Sequence, residues 1–288
     1  MTNEAVRGHG VSRAVCPRVG HGLSTRGGTV SSGDYLDRLF GLAGKRAVVT
    51  GGTSGIGRAA CIALARSGAE VIVGGRDTSR GTEVVEEITA AGGSASYVGG
   101  ELGSRAGVES FAERVLGEDG PVDILVNSAG VFERAPAEGT SAEIWDRAFQ
   151  VNVTAMFELC RAFGSGMLER GRGKIINIAS TDGIVGVPEQ AAYCASKGAV
   201  VQLTRTLGAE WIHRGVHVNA IGPCDFDTPM IADALADPAY ESWIHDAIPA
   251  GRIGRPEDIA GAVVYLASAA SDLVVGHVLM VDGGRTVI

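Results

Sequence analysis

Short apolar runs rich in Val, Ile and Ala recur along the chain. Each closes on Gly or a small polar residue and is followed by a longer stretch with helical spacing. They fall at 45–50, 70–75, 95–100, 122–127, 174–179, 217–222 and 276–281. The run at 174–179 is typical, with Ile175, Ile176 and Ile178 reading as a fully buried strand. A helical pattern opened by the 51–57 loop runs to about 67, and others fill the intervals at about 82–91, 104–117 and 141–169, with Ser141 placed as an N-cap. A further helix carries Tyr193 and Lys197, and a last one begins near Pro256. Strands alternating with helices throughout predict an α/β protein built on a doubly wound parallel sheet.

Residues 1–33 break this pattern. They are rich in Gly, Ser, Thr and Arg without apolar periodicity, and read as a disordered N-terminal extension lacking the apolar segment of a secretory signal. The remainder, 34–288, shows no internal repeat or second domain and is long enough for one large core. A formal net charge of −8 argues against nonspecific nucleic-acid binding. No apolar stretch reaches the roughly 18 residues needed to cross a bilayer. The five cysteines have no metal-ligand spacing, so no metal is expected, and they read as free thiols of a reducing cytoplasm.

Candidate chemistry gathers around the run at 174–179. Ser180 follows its carboxyl end, where ligands bind in open α/β sheets. Tyr193 and Lys197 are four residues apart, on one helix face. A phenol with an ordinary pKa of roughly 10 is a poor proton shuttle near neutrality, and an ammonium one turn away favours the phenolate. With a serine hydroxyl to hold the substrate oxygen, the trio suits proton transfer to a carbonyl or from an alcohol. Gly51, Gly55 and Gly57 open the helix after the first run, where backbone amides and the helix N-terminus favour a pyrophosphate.

These residues resemble the short-chain dehydrogenase/reductase family in its classical branch. The family's Tyr-x-x-x-Lys motif is Tyr193-Cys-Ala-Ser-Lys197, and its serine thirteen residues upstream is Ser180. Its glycine motif is Thr50-Gly51-Gly-Thr53-Ser54-Gly55-Ile56-Gly57, and its Asn-Asn-Ala-Gly motif is Asn127-Ser128-Ala129-Gly130, with Ser128 in place of the second Asn. Asn152 matches the fourth catalytic position. The resemblance covers about residue 36 to the C-terminus. It implies a single Rossmann-type sheet of seven parallel strands flanked by helices, assembled as a homotetramer or homodimer. The implied catalytic set is Asn152, Ser180, Tyr193 and Lys197, with Lys197 also on the nicotinamide ribose and Asn152 holding a water of a proton relay. The implied cofactor contacts add the glycine loop, Glu101 and Leu102 at the adenine, Asn127, Ala129 and Gly130, and Pro223, Phe226 and Thr228 at the carboxamide.

The end of the second strand bears on the cofactor. Where the family often places an acidic residue stands Gly75, followed by Arg76. A neutral residue beside a guanidinium suits a 2′-phosphate, so NADP(H) is preferred, with NAD(H) still open. Asp77 is able to compete by pairing with Arg76. Cys224 takes a position the family gives to Gly, and strain is expected there if the backbone needs positive φ. The segment 230–248, with Trp243 and His245, reads as a mobile lid over the substrate.

The function expected is hydride transfer between a nicotinamide cofactor and a secondary alcohol or its ketone, in the cytoplasm, with no nucleic-acid or membrane partner. Two alternatives stay open: a noncatalytic NADP(H)-binding sensor or structural protein, and a 3-oxoacyl thioester reductase. Asp182, Gln190 and Asp225 make the substrate end polar, in keeping with a polyol, a sugar acid or a small keto compound.

Overall fold

Ala47, Val48 and Val49 form the apolar centre of β1 (Arg46–Thr50), all five of whose residues are buried. A strand covered on both faces belongs inside a parallel sheet, and β1 lies there. In this computed structural model, which describes residues 32–118 and 120–288, the sheet also holds β2 (Glu70–Gly75), β3 (Ser94–Gly99), β4 (Ile124–Asn127), β5 (Gly173–Ile178), β6 (Val216–Pro223) and β7 (Val278–Val281). Its order is β3-β2-β1-β4-β5-β6-β7, every pair parallel. The sheet is therefore the seven-stranded, doubly wound one expected. The extension at 1–33 lies outside the described residues, except that Ser32 and Gly33 begin α1 (Ser32–Phe40).

Neighbouring residues of β1 face opposite layers. Val48 packs with Phe111 of α4 (Arg105–Leu116), Leu159 and Phe163 of α6 (Met156–Arg170) and Val200 of α7 (Ala191–Trp211). Val49 packs with Leu64 of α2 (Gly55–Arg66), Val84 and Ile88 of α3 (Thr78–Ala90) and Val263 of α10 (Ala260–Ala267). The strand order reverses between β1 and β4, where Thr50 is level with Asn127. Beyond their carboxyl ends the loops diverge and leave the crevice that such sheets use for ligands.

Two helices depart from the expected bounds. α3 starts at Thr78 rather than 82 because the Asp77 carboxylate caps it, accepting from Arg80 N at 3.0 Å. The single helix expected over 141–169 is broken: α5 (Ala142–Phe149) passes through a π turn, Gln150–Ala155, into α6. Ser141 does cap its start, accepting from Ile144 N. Apolar periodicity does not reveal one extra residue in a turn, and such bulges concentrate at functional sites. After β6, α8 (Ala232–Leu235) and α9 (Pro238–Ala247) form a small lobe around Tyr240, Ile244 and Ile248. No helix of the described residues is long and apolar enough to cross a membrane.

Candidate active site

The loop from β1 into α2 is shaped for close approach. A Cβ on Gly57 would stand 2.1 Å from the Gly51 carbonyl oxygen, and Gly51 itself has φ +66° beside the Ala129 backbone. Ser54, the N-cap of α2, makes no side-chain cap hydrogen bond. The first amides of this twelve-residue helix are thus left to a ligand, and they favour an anion. Opposite, Thr50 Oγ1 accepts from Ser128 N at 3.1 Å and Ala129 N at 3.2 Å, fixing the loop after β4. Thr50 was not singled out from sequence, although it begins the glycine motif.

A cavity of about 260 Å³ runs along this crevice. Arg76, Glu101 and Leu102 line one end. Gly51, Thr53, Ser54, Gly55, Ile56, Gly57, Ala129 and Gly130 line the middle, and Ser180, Tyr193, Lys197, Pro223, Phe226 and Thr228 the other end. Two expected residues stand outside it. Asn127 turns inward and donates from Nδ2 to Asn177 Oδ1 at 2.9 Å, tying β4 to β5. Asn152 lies behind the wall, in the π turn. Its Oδ1 accepts from Val131 N at 2.8 Å, and its Nδ2 donates to Val131 O and to Ser196 Oγ, both at 3.0 Å. Ser196 in turn donates to the Tyr193 carbonyl at 2.7 Å. With the carboxamide so engaged, a water held by Asn152 would bond its backbone rather than its side chain.

Tyr193 and Lys197 lie one turn apart on α7, with Lys197 Nζ 5.6 Å from the Tyr193 ring centroid. Lys197 is buried and donates to Ile178 O at 2.8 Å, the last carbonyl of β5. Ser180 follows that strand, with its hydroxyl against the phenol. Tyr193 is half-buried and lines the cavity, and Phe132 meets its ring edge-on at 4.9 Å. Burial pushes the phenol's pKa above its ordinary value, the Asp182 carboxylate adds to that, and the Ser180 hydroxyl pulls it back. Burial also lowers Lys197 to about 8, against the opposing pull of Asp182. The expectation of a phenol lowered by its lysine therefore does not hold for the protein alone: desolvation outweighs the one-turn spacing, and the shift is upward.

Above Tyr193 lies a charged cluster only partly visible in the sequence. Arg285 Nη1 donates to Asp225 Oδ2 at 2.6 Å, and its Nη2 stands 3.7 Å from Asp182 Oδ1. Tyr240 donates to Asp225 Oδ1 at 2.8 Å. Trp243 lies under the Arg285 guanidinium at 4.8 Å and beside Tyr240, so it packs within the small lobe and does not line the cavity. The His245 side chain lies outside the described residues. Arg285 was missed because it follows the last strand. The signal was the Asp282-Gly283-Gly284 turn, in which both glycines take positive φ and send the chain back over the site. Cys224 is not strained, since Glu189 is the one non-glycine residue with positive φ among those described. Burial, reinforced by the carboxylates of Asp225 and Asp282, pushes the Cys224 thiol up to about 11. At the far end Asp77 pairs with Arg80 at 3.2 Å, leaving Arg76 to a looser contact with Glu101 at 3.7 Å.

A sequence profile described as enoyl-(acyl carrier protein) reductase matches residues 51–286. Gluconate 5-dehydrogenase of Gluconobacter oxydans (strain 621H) is 40% identical over 249 residues, spanning 86% of this chain and 97% of that protein. Galactitol 2-dehydrogenase (L-tagatose-forming) of Cereibacter sphaeroides is 44% identical over 255 residues, spanning 86% and 98%. The crystal structure of a gluconate 5-dehydrogenase from Burkholderia cenocepacia J2315 in complex with NADP and tartrate has a TM-score of 0.84 to this fold. It is 35% identical, and the match covers 88% of this chain and 99% of that one. The chain belongs to the classical branch of the short-chain dehydrogenase/reductase family, NAD(P)-dependent enzymes acting on CH–OH groups.

Proposed function

We propose that this protein is an NADP(H)-preferring oxidoreductase that interconverts a secondary alcohol and its ketone, with Tyr193 as the acid/base. The carrying observation is the convergence of Ser180, Tyr193 and Lys197 on one end of a cavity whose other end holds Arg76. The glycine cradle and uncapped amides of α2 fit a dinucleotide pyrophosphate. A bound nicotinamide dinucleotide supplies the hydride chemistry. Tyr193 gives its proton to the carbonyl oxygen in reduction and, as the phenolate, receives one from the alcohol in oxidation. Ser180 holds the same oxygen by hydrogen bonding. Lys197, fixed by Ile178 O, carries the positive charge beneath the phenol and reaches the ribose side. Asn152 and Ser196 hold the start of α7 and the 130–131 loop in register.

The preference for NADP(H) rests on the end of β2. A Cβ at Gly75 would stand 2.5 Å from Thr53 Cγ2, so an acidic side chain there would have to displace Thr53. Arg76 is exposed, and its ion pair with Glu101 is loose enough to yield to a phosphate. We also propose a cytoplasmic location, which the free thiols Cys61, Cys160, Cys194 and Cys224 suit, and a homodimer or homotetramer. The test is turnover of ketones and polyols with each cofactor. A kcat/KM for NADPH at least about tenfold above that for NADH is expected, and equal values would contradict the role of Arg76.

A further inference from the structure

The substrate end of the cavity is lined with hydrogen-bond acceptors. Of its charged residues near Tyr193, Lys197 lies beneath the phenol and is committed to Ile178 O. The other two, Asp182 and Asp225, are carboxylates. Gln190 also lines this end. It is only 4% exposed, and its carboxamide oxygen is buried with no partner among the described residues. A buried acceptor left unmade is costly, and one of known position indicates what a ligand brings. Gln190 is held there by the residue before it. Glu189 has φ +63°, its carbonyl accepts from Ala135 N at 2.9 Å, and its carboxylate pairs with Arg134.

The nearby guanidinium does not change this balance. Arg285 is 9% exposed and does not line the cavity. It donates to Asp225, forms a looser ion pair with Asp182 and lays its face on Trp243. The two carboxylates themselves line the cavity, whereas Arg285 stands behind them and the Lys197 ammonium is held by Ile178 O, so what this end offers a substrate is acceptors. Each carboxylate also keeps acceptor capacity: Asp182 Oδ1 takes Thr181 Oγ1 at 3.1 Å and has Arg285 at 3.7 Å, while no described residue bonds Oδ2. An ionised carboxylate is acceptor-only, whereas a hydroxyl donates.

We infer that Asp182, Asp225 and Gln190 form a subsite for the hydroxyl groups of a neutral polyol or its ketose, and that this subsite discriminates against sugar acids. The inference rests on the hydride-transfer reading above and names its substrate class. A polyol meets three acceptors with donors and leaves Gln190 satisfied. A sugar acid with its carboxylate in the subsite brings a third anion and no donor for these groups. Arg285 acts here as a positioning residue: it touches no substrate but aims the two carboxylates.

The test compares a hexitol with the hexonate of matching configuration, under NADP+ and NAD+, in the full-length protein. A kcat/KM at least about tenfold higher for the hexitol supports the subsite. Asp225→Asn, and separately Asp182→Asn, are expected to narrow that ratio, mostly through KM. Asp182→Asn is the second variant because its contact with Arg285 is the longer one, and a melting curve establishes that each is folded. A binding readout independent of turnover is isothermal titration of the cofactor-loaded Tyr193→Phe variant. The hexitol should bind and the hexonate bind at least about tenfold more weakly. Tyr193-dependent turnover that favours the hexonate would overturn the subsite and leave the hydride-transfer reading standing. No Tyr193-dependent turnover of polyols, acids or simple ketones would overturn both.

Discussion

The Arg285 guanidinium donates to Asp225 Oδ2 at 2.6 Å, although the two residues are 60 apart in sequence. Both side chains are largely buried, at 7% and 15% exposure. Removing one partner of such a pair strands the other's charge in the interior. Arg285→Met is therefore expected to destabilise the protein by about 3–5 kcal/mol. Arg285→Lys should recover only part of this, because one ammonium does not reproduce a fork that serves both Asp225 and Asp182. Chemical denaturation of the two variants checks this; a loss below about 1 kcal/mol in Arg285→Met would contradict it.

Ser196 accepts from Asn152 and donates to the Tyr193 carbonyl, so one hydroxyl joins the π turn to the first turn of α7. Ser196→Ala leaves an Asn152 N–H buried without its partner. The expected loss is about 1–3 kcal/mol of stability, with a fall in kcat larger than any change in KM, because Tyr193 loses its register. Thermal melting and steady-state kinetics read the two effects. An unchanged kcat in a destabilised variant would reduce the link to a purely structural one.

Lys197 carries a pH signature. Burial brings its folded pKa down to about 8, against an unfolded value of about 10.4. Between these values the unfolded chain binds the extra proton, so this residue's contribution to stability rises with pH from about 8 to about 10. Holding the charge inside costs on the order of 3 kcal/mol at neutral pH. Lys197→Met removes that cost but orphans the Ile178 carbonyl, at about 1–2 kcal/mol. The variant should be inactive yet melt higher at neutral pH, and it should lack the alkaline rise. Parallel stability–pH curves for the two proteins would contradict the assignment.

Arg76 and Glu101 stand 3.7 Å apart, both exposed. Arg76→Ala should weaken NADPH binding about 10–100-fold and leave NADH binding nearly unchanged. Glu101→Gln frees the guanidinium and should tighten NADPH binding by about threefold. Fluorescence titration of each cofactor measures both. Equal losses for NADPH and NADH would show that Arg76 does not read the 2′-phosphate.

How much was legible in the sequence follows from the range of each signal. The strands were legible because parallel strands are apolar on both faces, and the bounds of β2 came out unchanged. Ser180, Tyr193 and Lys197 were legible because one strand end and one helix turn bring them together, and both are local. The π turn was not, since hydrophobic spacing does not record one added residue. Asn127 and Asn152 could be named, but their hydrogen bonds run to β5, to Val131 and to Ser196, which no local pattern specifies. Arg285 became visible only once the chain had folded back over Asp225. The direction of the Tyr193 shift needed the degree of burial, which the four-residue spacing to Lys197 does not carry.

The central claim is that Tyr193 moves the proton. It is tested most directly by Tyr193→Phe, assayed for NADPH-dependent ketone reduction alongside NADPH binding. The phenol lies beside Ser180 at the cavity, and the substitution removes only its hydroxyl. The account predicts a fall in kcat of about 10²–10⁴-fold, with the NADPH dissociation constant changed by less than about threefold. A variant that keeps its turnover within about tenfold of the native protein, with cofactor binding intact, would contradict it.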